Sequence, residues 1–370
     1  MKQINECKRS FHSWDAAKQQ LTVHLPQPFR FEPNISYLAR SKNECMYHVD
    51  AENGQITKLF PWNKRKFLLE INCEEDQFLH IRFVGGGGQE AGLGVRHDND
   101  LGEYGKVAKE LAEELLEDPA GSDNERPDQN LREECADNVK SFADPALLDA
   151  VASYVWEWFD LGRDLQPFYE LAEHDPLLQN AARKFYGLRI LGIPDLFEAI
   201  SWGIIGQQIN LPFAYTLKRR LVEGYGSSSV WNGRTYWSFP EPAQIAELTP
   251  NALTSLQFTG KKAEYLIGAA QLITEGKLSK AALLYHKEAK AAENELLRIR
   301  GIGPWTANYV MMRCLRDPSA FPIADVGLHN ALKLVMDRSE KPSLDEIKEL
   351  AVHWKGWEAY ATFYLWRTLY

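Results

Sequence analysis

The densest chemistry in this chain lies between residues 293 and 332, in ENELLRIRGIGPWTANYVMMRCLRDPSAFPIADVGLHNAL. Gly301-Ile302-Gly303-Pro304 separates two stretches of helical spacing. Glycine at 301 and 303 permits a tight hairpin with positive φ and a close approach of backbone to a ligand. Pro304 suits a first helical position, where a missing N–H costs nothing. The free N–H groups and positive dipole end of that helix face the hairpin, a site for one backbone phosphate that is blind to base sequence. A lone Gly-x-Gly between helices is equally a packing corner, so its neighbours decide. Trp305 and Tyr309 stand four apart and share one helix face. Asp325 follows 22 residues after Gly303, beyond the breakers Asp317-Pro318 and Phe321-Pro322. An Asp placed before Val326 can simply cap a helix, and Trp366, far along on the last helical stretch, can simply be core.

The rest of the chain bounds what this segment can serve. The 370 residues, 45% hydrophobic and 25% charged, suit two or three globular domains. No apolar run approaches the roughly 18 residues of a membrane span. The N-terminus MKQINECKRSFHSWD lacks a secretory apolar stretch. The expectation is a cytoplasmic, nucleoid-associated protein without a membrane partner. Cys7, Cys45, Cys73, Cys135 and Cys314 form no CxxC pair, which excludes a disulfide framework, a zinc ribbon and a four-cysteine cluster at the C-terminus. The histidines show no HExxH or His–Cys spacing, which argues against a metal hydrolase. His329, one turn past Asp325, reads as a packing or surface residue.

A net charge of −9 argues at first against a nucleic-acid partner. The average hides an asymmetry. Residues 181–370 carry 23 Lys+Arg against 18 Asp+Glu, a balance of +5, which leaves −14 for residues 1–180. Within that half, residues 95–140 hold 14 acids and 6 bases. A polyanion partner is therefore permitted in the C-terminal half, and the acidic segment would repel it.

The elements that must position the segment are of two kinds. Residues 20–85 read as β-rich: LTVHL, FLLEIN and FLHIRFV, with ENGQ at 52–55 as a hairpin turn. The four glycines Gly85 to Gly88 then read as a mobile turn, since no GK[ST] follows. YGKVAKELAEELLE at 104–117 reads as an acidic amphipathic helix, and PAGSDNERPDQN at 119–130 as a turn-rich connection. DPALLDAVASYVWEWFDL reads as a helix running into a strand. From about 166 onward apolar residues recur at helical spacing, with Asp195 and Ser343 as N-caps. The expected architecture is α+β: an N-terminal antiparallel β domain over 1–165 with an acidic insert near 95–140, then an all-α core over 166–370.

With these residues in view, LLRIRGIGPWTANYVMMRCL…FPIADVGL resembles the helix-hairpin-helix DNA glycosylases, and within them the 3-methyladenine DNA glycosylase II branch. LRILGIPDLFEAISWGIIGQQIN (188–210), TGKKAEYLIGAA (259–270) and HWKGWEAYATFYLWR (353–367) extend the resemblance over roughly 145–370. It implies that Asp325 is the catalytic aspartate and that Trp305, Tyr309 and Trp366 line the pocket for a flipped base. It implies that Gln208 fills the gap the base leaves, and that the carbonyls of Leu297, Ile299 and Ile302 hold a monovalent cation, Na+ or K+, beside a DNA phosphate. No other cofactor is implied. Gln208, Pro304 and Arg367 depart from the best-known branch, so base selectivity does not carry over.

The chemistry suits these residue types. A methylated purine carries positive charge and leaves readily, and aromatic faces attract it by about 0.5–2 kcal/mol per good contact. One fixed carboxylate stabilises the positive charge that builds on the sugar and orients the attacking water. Where bifunctional members of the superfamily carry a Schiff-base lysine, this chain has Trp305, which implies a water-using enzyme that leaves an abasic site. The expected partner is duplex DNA with alkylated bases, bound by a monomer, with Gly301, Gly303, Lys261 and Lys262 at the phosphates. The alternative is a non-catalytic helix-hairpin-helix DNA-binding module, which has no use for Asp325 beside three aromatics.

Overall fold

The computed structural model describes residues 12–86, 142–286 and 288–370. The acidic stretch 95–140, with the expected helix at 104–117 and connection at 119–130, lies outside the described residues, as do Gly87, Gly88, Cys7, Cys135 and His97. Two compact units result. One comprises the described parts of 1–25, 46–154 and 228–238, the other those of 26–45, 155–227 and 239–370.

The first unit is built on an antiparallel sheet of β1 (His12–Asp15), β2 (Gln20–His24), β3 (His48–Asp50), β4 (Gln55–Trp62), β5 (Arg65–Glu74) and β6 (Phe78–Gly86), in the order β1-β2-β6-β5-β4-β3. Strict alternation sets its register: Leu21 and Val23, like Leu79, Ile81 and Phe83, are buried between outward Thr22, His24, His80 and Arg82. Along β4 burial is continuous from Ile56 to Phe60, because both faces of the sheet are covered. On one face the rings of Phe67, Phe83 and Phe142 pack together. On the other, Leu59 and Leu68 meet Tyr236.

Tyr236 comes from a hairpin of β7 (Ser227–Trp231) and β8 (Arg234–Ser238), inside the region expected to be all helical. Asn232 and Gly233 both take positive φ at its turn (46° and 70°), the Asn-Gly geometry of a two-residue hairpin. The expected mobile turn at Gly85 and Gly86 is instead the end of β6, paired with Leu68 and Phe67. Space is tight at Gly85, where an added Cβ would lie 3.1 Å from the Trp231 indole.

The second unit is helical. Pro145–Trp158, which leads into it, stays helical where a strand was expected. Val151, Val155, Trp158 and Phe159 are buried there at three- and four-residue spacing, a helical rather than an alternating pattern. A helix at Phe31–Leu38, inside the stretch read as β-rich, also belongs to this unit. Buried Arg189 explains why. Its guanidinium donates to the carbonyls of Asp160 (2.8 Å), Arg163 (2.9 Å) and Pro28 (3.2 Å). The Asn34 amide donates to the Gly187 carbonyl at 3.0 Å, and its oxygen accepts the Arg189 backbone N–H at 3.1 Å. The two units divide the chain at 154/155, with 26–45 in the second unit and 228–238 in the first.

Within the second unit, Asp195 and Ser343 cap their helices as expected, accepting the N–H groups of Glu198 and Glu346. The last helix, Glu358–Arg367, is buried all round, which fixes Trp366 near its end. Among the described residues no helix is long and apolar enough to cross a membrane.

Candidate active site

The helix Ala289–Leu297 ends in a turn, and the helix Pro304–Val310 begins directly after Gly303. The Ile302 N–H closes the turn on the Ile299 carbonyl at 3.0 Å. Gly301 has φ of +93°, and a Cβ there would lie 2.2 Å from Cγ of Tyr265, so both conformation and space demand glycine. Gly303 differs from expectation. Its φ of −92° suits any residue, and an added Cβ would meet nothing within 4 Å. What Gly303 offers is open backbone at the start of a helix.

Asp325 precedes the helix Val326–Val335 and caps it, with Oδ1 accepting the Leu328 N–H at 2.8 Å. The same oxygen accepts the Trp366 indole N–H at 2.7 Å, and Oδ2 accepts the Trp305 indole N–H at 2.7 Å. The cap reading and the core reading of the sequence are thus both satisfied, and neither exhausts the residue. Three N–H donors fix the carboxylate in one orientation. Gly327 makes this possible, because a Cβ there would stand 2.8 Å from Asp325 Oδ1 and 3.1 Å from Trp366 Nε1. Gly327 is a site residue that sequence reading missed. His329 does not turn to Asp325; its Nε2 lies 2.8 Å from the Ile323 carbonyl.

The aromatic rings line up beside the carboxylate. Trp305 stacks on Tyr309 with centroids 5.5 Å apart and 28° between planes, and Tyr309 lies 6.5 Å from Trp366. Tyr309 is anchored from behind by buried Arg313, whose Nη1–H donates to the phenol oxygen at 3.0 Å. Arg313 also donates Nε–H to the Leu191 carbonyl at 2.6 Å and faces the Tyr37 and Phe363 rings. It stands on a π-helical turn, Met311–Leu315, that continues the hairpin helix. Burial raises the Tyr309 phenol pKa.

The remaining sequence candidates divide. Gln208 is exposed, in left-handed conformation (φ 56°), on the loop after the helix Leu196–Ile205. Lys261 is exposed in the first turn of the helix Gly260–Thr274. Lys262 is not at the surface. It is buried, its Nζ donates to the Ile205 carbonyl at 2.8 Å, and burial lowers its pKa. Helical geometry permits the split, since adjacent residues point about 100° apart and one can face water while the next packs inward. Arg367 turns away from the site, donating to Ser36 Oγ at 2.7 Å. Pro304 is exposed at the first helical position. Leu297, Ile299 and Ile302 lie together at the hairpin, with the last two side chains buried. Their backbone oxygens are the donor type a hard monovalent cation takes. Among the described residues no cluster of His, Cys, Asp and Glu is placed to hold a metal ion.

Comparison with known proteins follows this geometry. Residues 202–356 match the model of the HhH-GPD superfamily of base excision DNA repair proteins. Residues 60–200 match the 8-oxoguanine DNA glycosylase N-terminal domain. The chain is 43% identical over 358 residues to a DNA-3-methyladenine glycosylase of Bacillus subtilis, covering 97% of this chain and all of the relative. It is 31% identical over 182 residues to DNA-3-methyladenine glycosylase 2 of Escherichia coli, covering 49% of this chain and 61% of that one. The solved 3-methyladenine DNA glycosylase of Archaeoglobus fulgidus has a similar fold, with TM-score 0.67 at 19% identity over 93% of this chain and 96% of that one.

Proposed function

Because the chain belongs to the HhH-GPD superfamily of base excision DNA repair proteins, we propose that it flips alkylated purine bases out of duplex DNA and hydrolyses their glycosidic bonds. The observation that carries this reading is the Asp325 carboxylate, held by the indole N–H groups of Trp305 and Trp366 beside the Tyr309 ring. A passive DNA clip needs the hairpin alone.

The steps follow from the residues. The open backbone at Gly303 and the N–H groups of the first helical turn take one phosphate, with Lys261 as a nearby cation. The carbonyls of Leu297, Ile299 and Ile302 would hold Na+ or K+, which adds positive charge beside that phosphate. Gln208 enters the stack and occupies the place of the extruded base, offsetting part of a cost of a few kcal/mol. Trp305, Tyr309 and Trp366 receive the base. Both indoles donate their N–H to a carboxylate, which pushes electron density toward the ring faces and favours a cationic base.

As the glycosidic bond breaks, positive charge develops on the sugar. Asp325 meets it as a fixed anion that needs no reorientation, since its N–H donors already set its geometry. The lone pairs not used by those donors orient water toward the sugar carbon, and the products are free base and an abasic site. Trp305 stands where a Schiff-base lysine would be and has no amine, so no covalent enzyme–DNA intermediate forms. The enzyme acts as a monomer, in the cytoplasm with the nucleoid.

Mass spectrometry of free bases released from alkylated DNA tests the reading. Methylated purines in the supernatant, with intact strands until alkali is added, are the expected result. Binding to damaged duplex with no base released would leave the passive module instead.

A further inference from the structure

Gln207, next to the gap-filling candidate, has no role in the account so far. Its Nε2 donates one N–H to the Gly301 carbonyl at 2.9 Å and the other to Thr306 Oγ1 at 3.0 Å. The first partner is the left-handed residue of the hairpin, and the second lies in the first turn of the helix that receives the phosphate. The Gly301 oxygen can only accept, which fixes which way the amide faces.

The base of the loop packs against the hairpin helix. Thr306 is fully packed, and its Cγ2 lies 2.6 Å from where a Cβ of Gly203 would be. A Cβ on Gly206 would lie 3.6 Å from the Trp305 ring. Two residues beyond Gln208, Asn210 caps the helix Leu211–Tyr225 by accepting the Phe213 N–H at 2.9 Å. Gln208 itself is exposed and left-handed, a backbone state that a non-glycine residue keeps only where its surroundings impose it.

We propose that Gln207 is a positioning residue: it ties the loop that carries Gln208 to the phosphate-binding hairpin, so that seating of the phosphate and filling of the vacated stack occur in one register. The inference rests on reading Gln208 as the gap-filling side chain. It makes the contribution of Gln208 conditional on the Gln207 amide.

A double-mutant cycle on single-turnover excision from damaged duplex tests it. Gln207→Ala and Gln208→Ala should each lower the rate, by about tenfold if each forfeits a base-flipping contribution of ordinary size. The double variant should be no slower than the worse single variant by more than about twofold. A merely structural role at the hairpin gives multiplied losses, about a hundredfold in the double variant, and overturns the proposal; so does a Gln207→Ala rate equal to wild type. Gln207→Glu, nearly the same shape but unable to donate, repeats the cycle should Gln207→Ala fail to fold. If Gln208→Ala excises normally, the gap-filling role falls and this inference with it. Absence of any excision by the wild-type protein would instead overturn the proposed function.

Discussion

The indole N–H of Trp366 reaches Oδ1 of Asp325 at 2.7 Å across 41 positions of sequence. That oxygen already accepts the Leu328 N–H and so starts a helix. One carboxylate therefore serves as helix cap and as the meeting point of two indoles from separate helices. The start of one helix and the orientation of two indoles are set by the same atoms, and the sequence motif around Asp325 needs the last helix of the chain to complete it.

The two hairpin glycines should fail in different ways. Gly301→Ala must place a Cβ 2.2 Å from the Tyr265 ring in a left-handed conformation, so it should lower stability by about 2 kcal/mol or more. Gly303→Ala meets open space and suits its φ, so its melting temperature should stay near wild type while affinity for abasic-site DNA falls. Thermal melts and binding isotherms of both variants check this. Equal affinity of Gly303→Ala and wild type would remove the hairpin from the phosphate site.

Lys261 and Lys262 should separate in the same spirit. Few phosphates are contacted, so the log–log salt slope of binding should be roughly −2 to −4. Lys261→Ala should make it shallower by about 0.9, the loss of one neutralised phosphate. Lys262→Ala should leave the slope unchanged and cost about 1–3 kcal/mol of stability, because it leaves the Ile205 carbonyl without its donor. A slope changed by Lys262→Ala would show that this side chain reaches DNA.

Alkaline pH should expose the buried thiol of Cys314, which burial pushes up to about 12 from an ordinary value of 9.0. Between these values the native state keeps a proton that the unfolded chain releases. Stability therefore falls as pH rises above 9, with this group contributing up to about 1.4 kcal/mol per pH unit. Cys314→Ala should start less stable, from the lost packing, and decline less steeply between pH 9 and 11. Parallel declines in denaturant titrations would show that the thiol ionises freely in the folded protein.

Legibility in the sequence followed the range of the interaction. The shared face of Trp305 and Tyr309 and the capping position of Asp325 were readable as local signals, whereas their grouping as one site came from the resemblance; in the fold Trp305 contacts both of the others. Trp366 was placed by resemblance, since nothing local marks a contact made 41 positions away. Gly327 acts through the absence of a side chain, and Gln207 and Arg313 through partners distant in sequence, the Gly301 and Leu191 carbonyls, which no local pattern marks. The hairpin at Asn232-Gly233 did carry a local signal, hidden by reading 166–370 as uniformly helical. Helix Phe31–Leu38 joins its unit through the buried Arg189 and Asn34 contacts, which no periodicity records.

Single-turnover release of free methylated purine by Asp325→Asn is the most direct test of the account. Asn keeps the size of the side chain and the oxygen shared by the Trp366 and Leu328 N–H groups, but it turns an amide NH2 toward the Trp305 indole N–H and removes the negative charge that the developing sugar cation requires. The expected loss is about 3–4 kcal/mol of transition-state stabilisation, two to three orders of magnitude in rate, with binding to abasic-site DNA nearly intact. Excision by Asp325→Asn at a rate near wild type would contradict it, and would place the chemistry on another group.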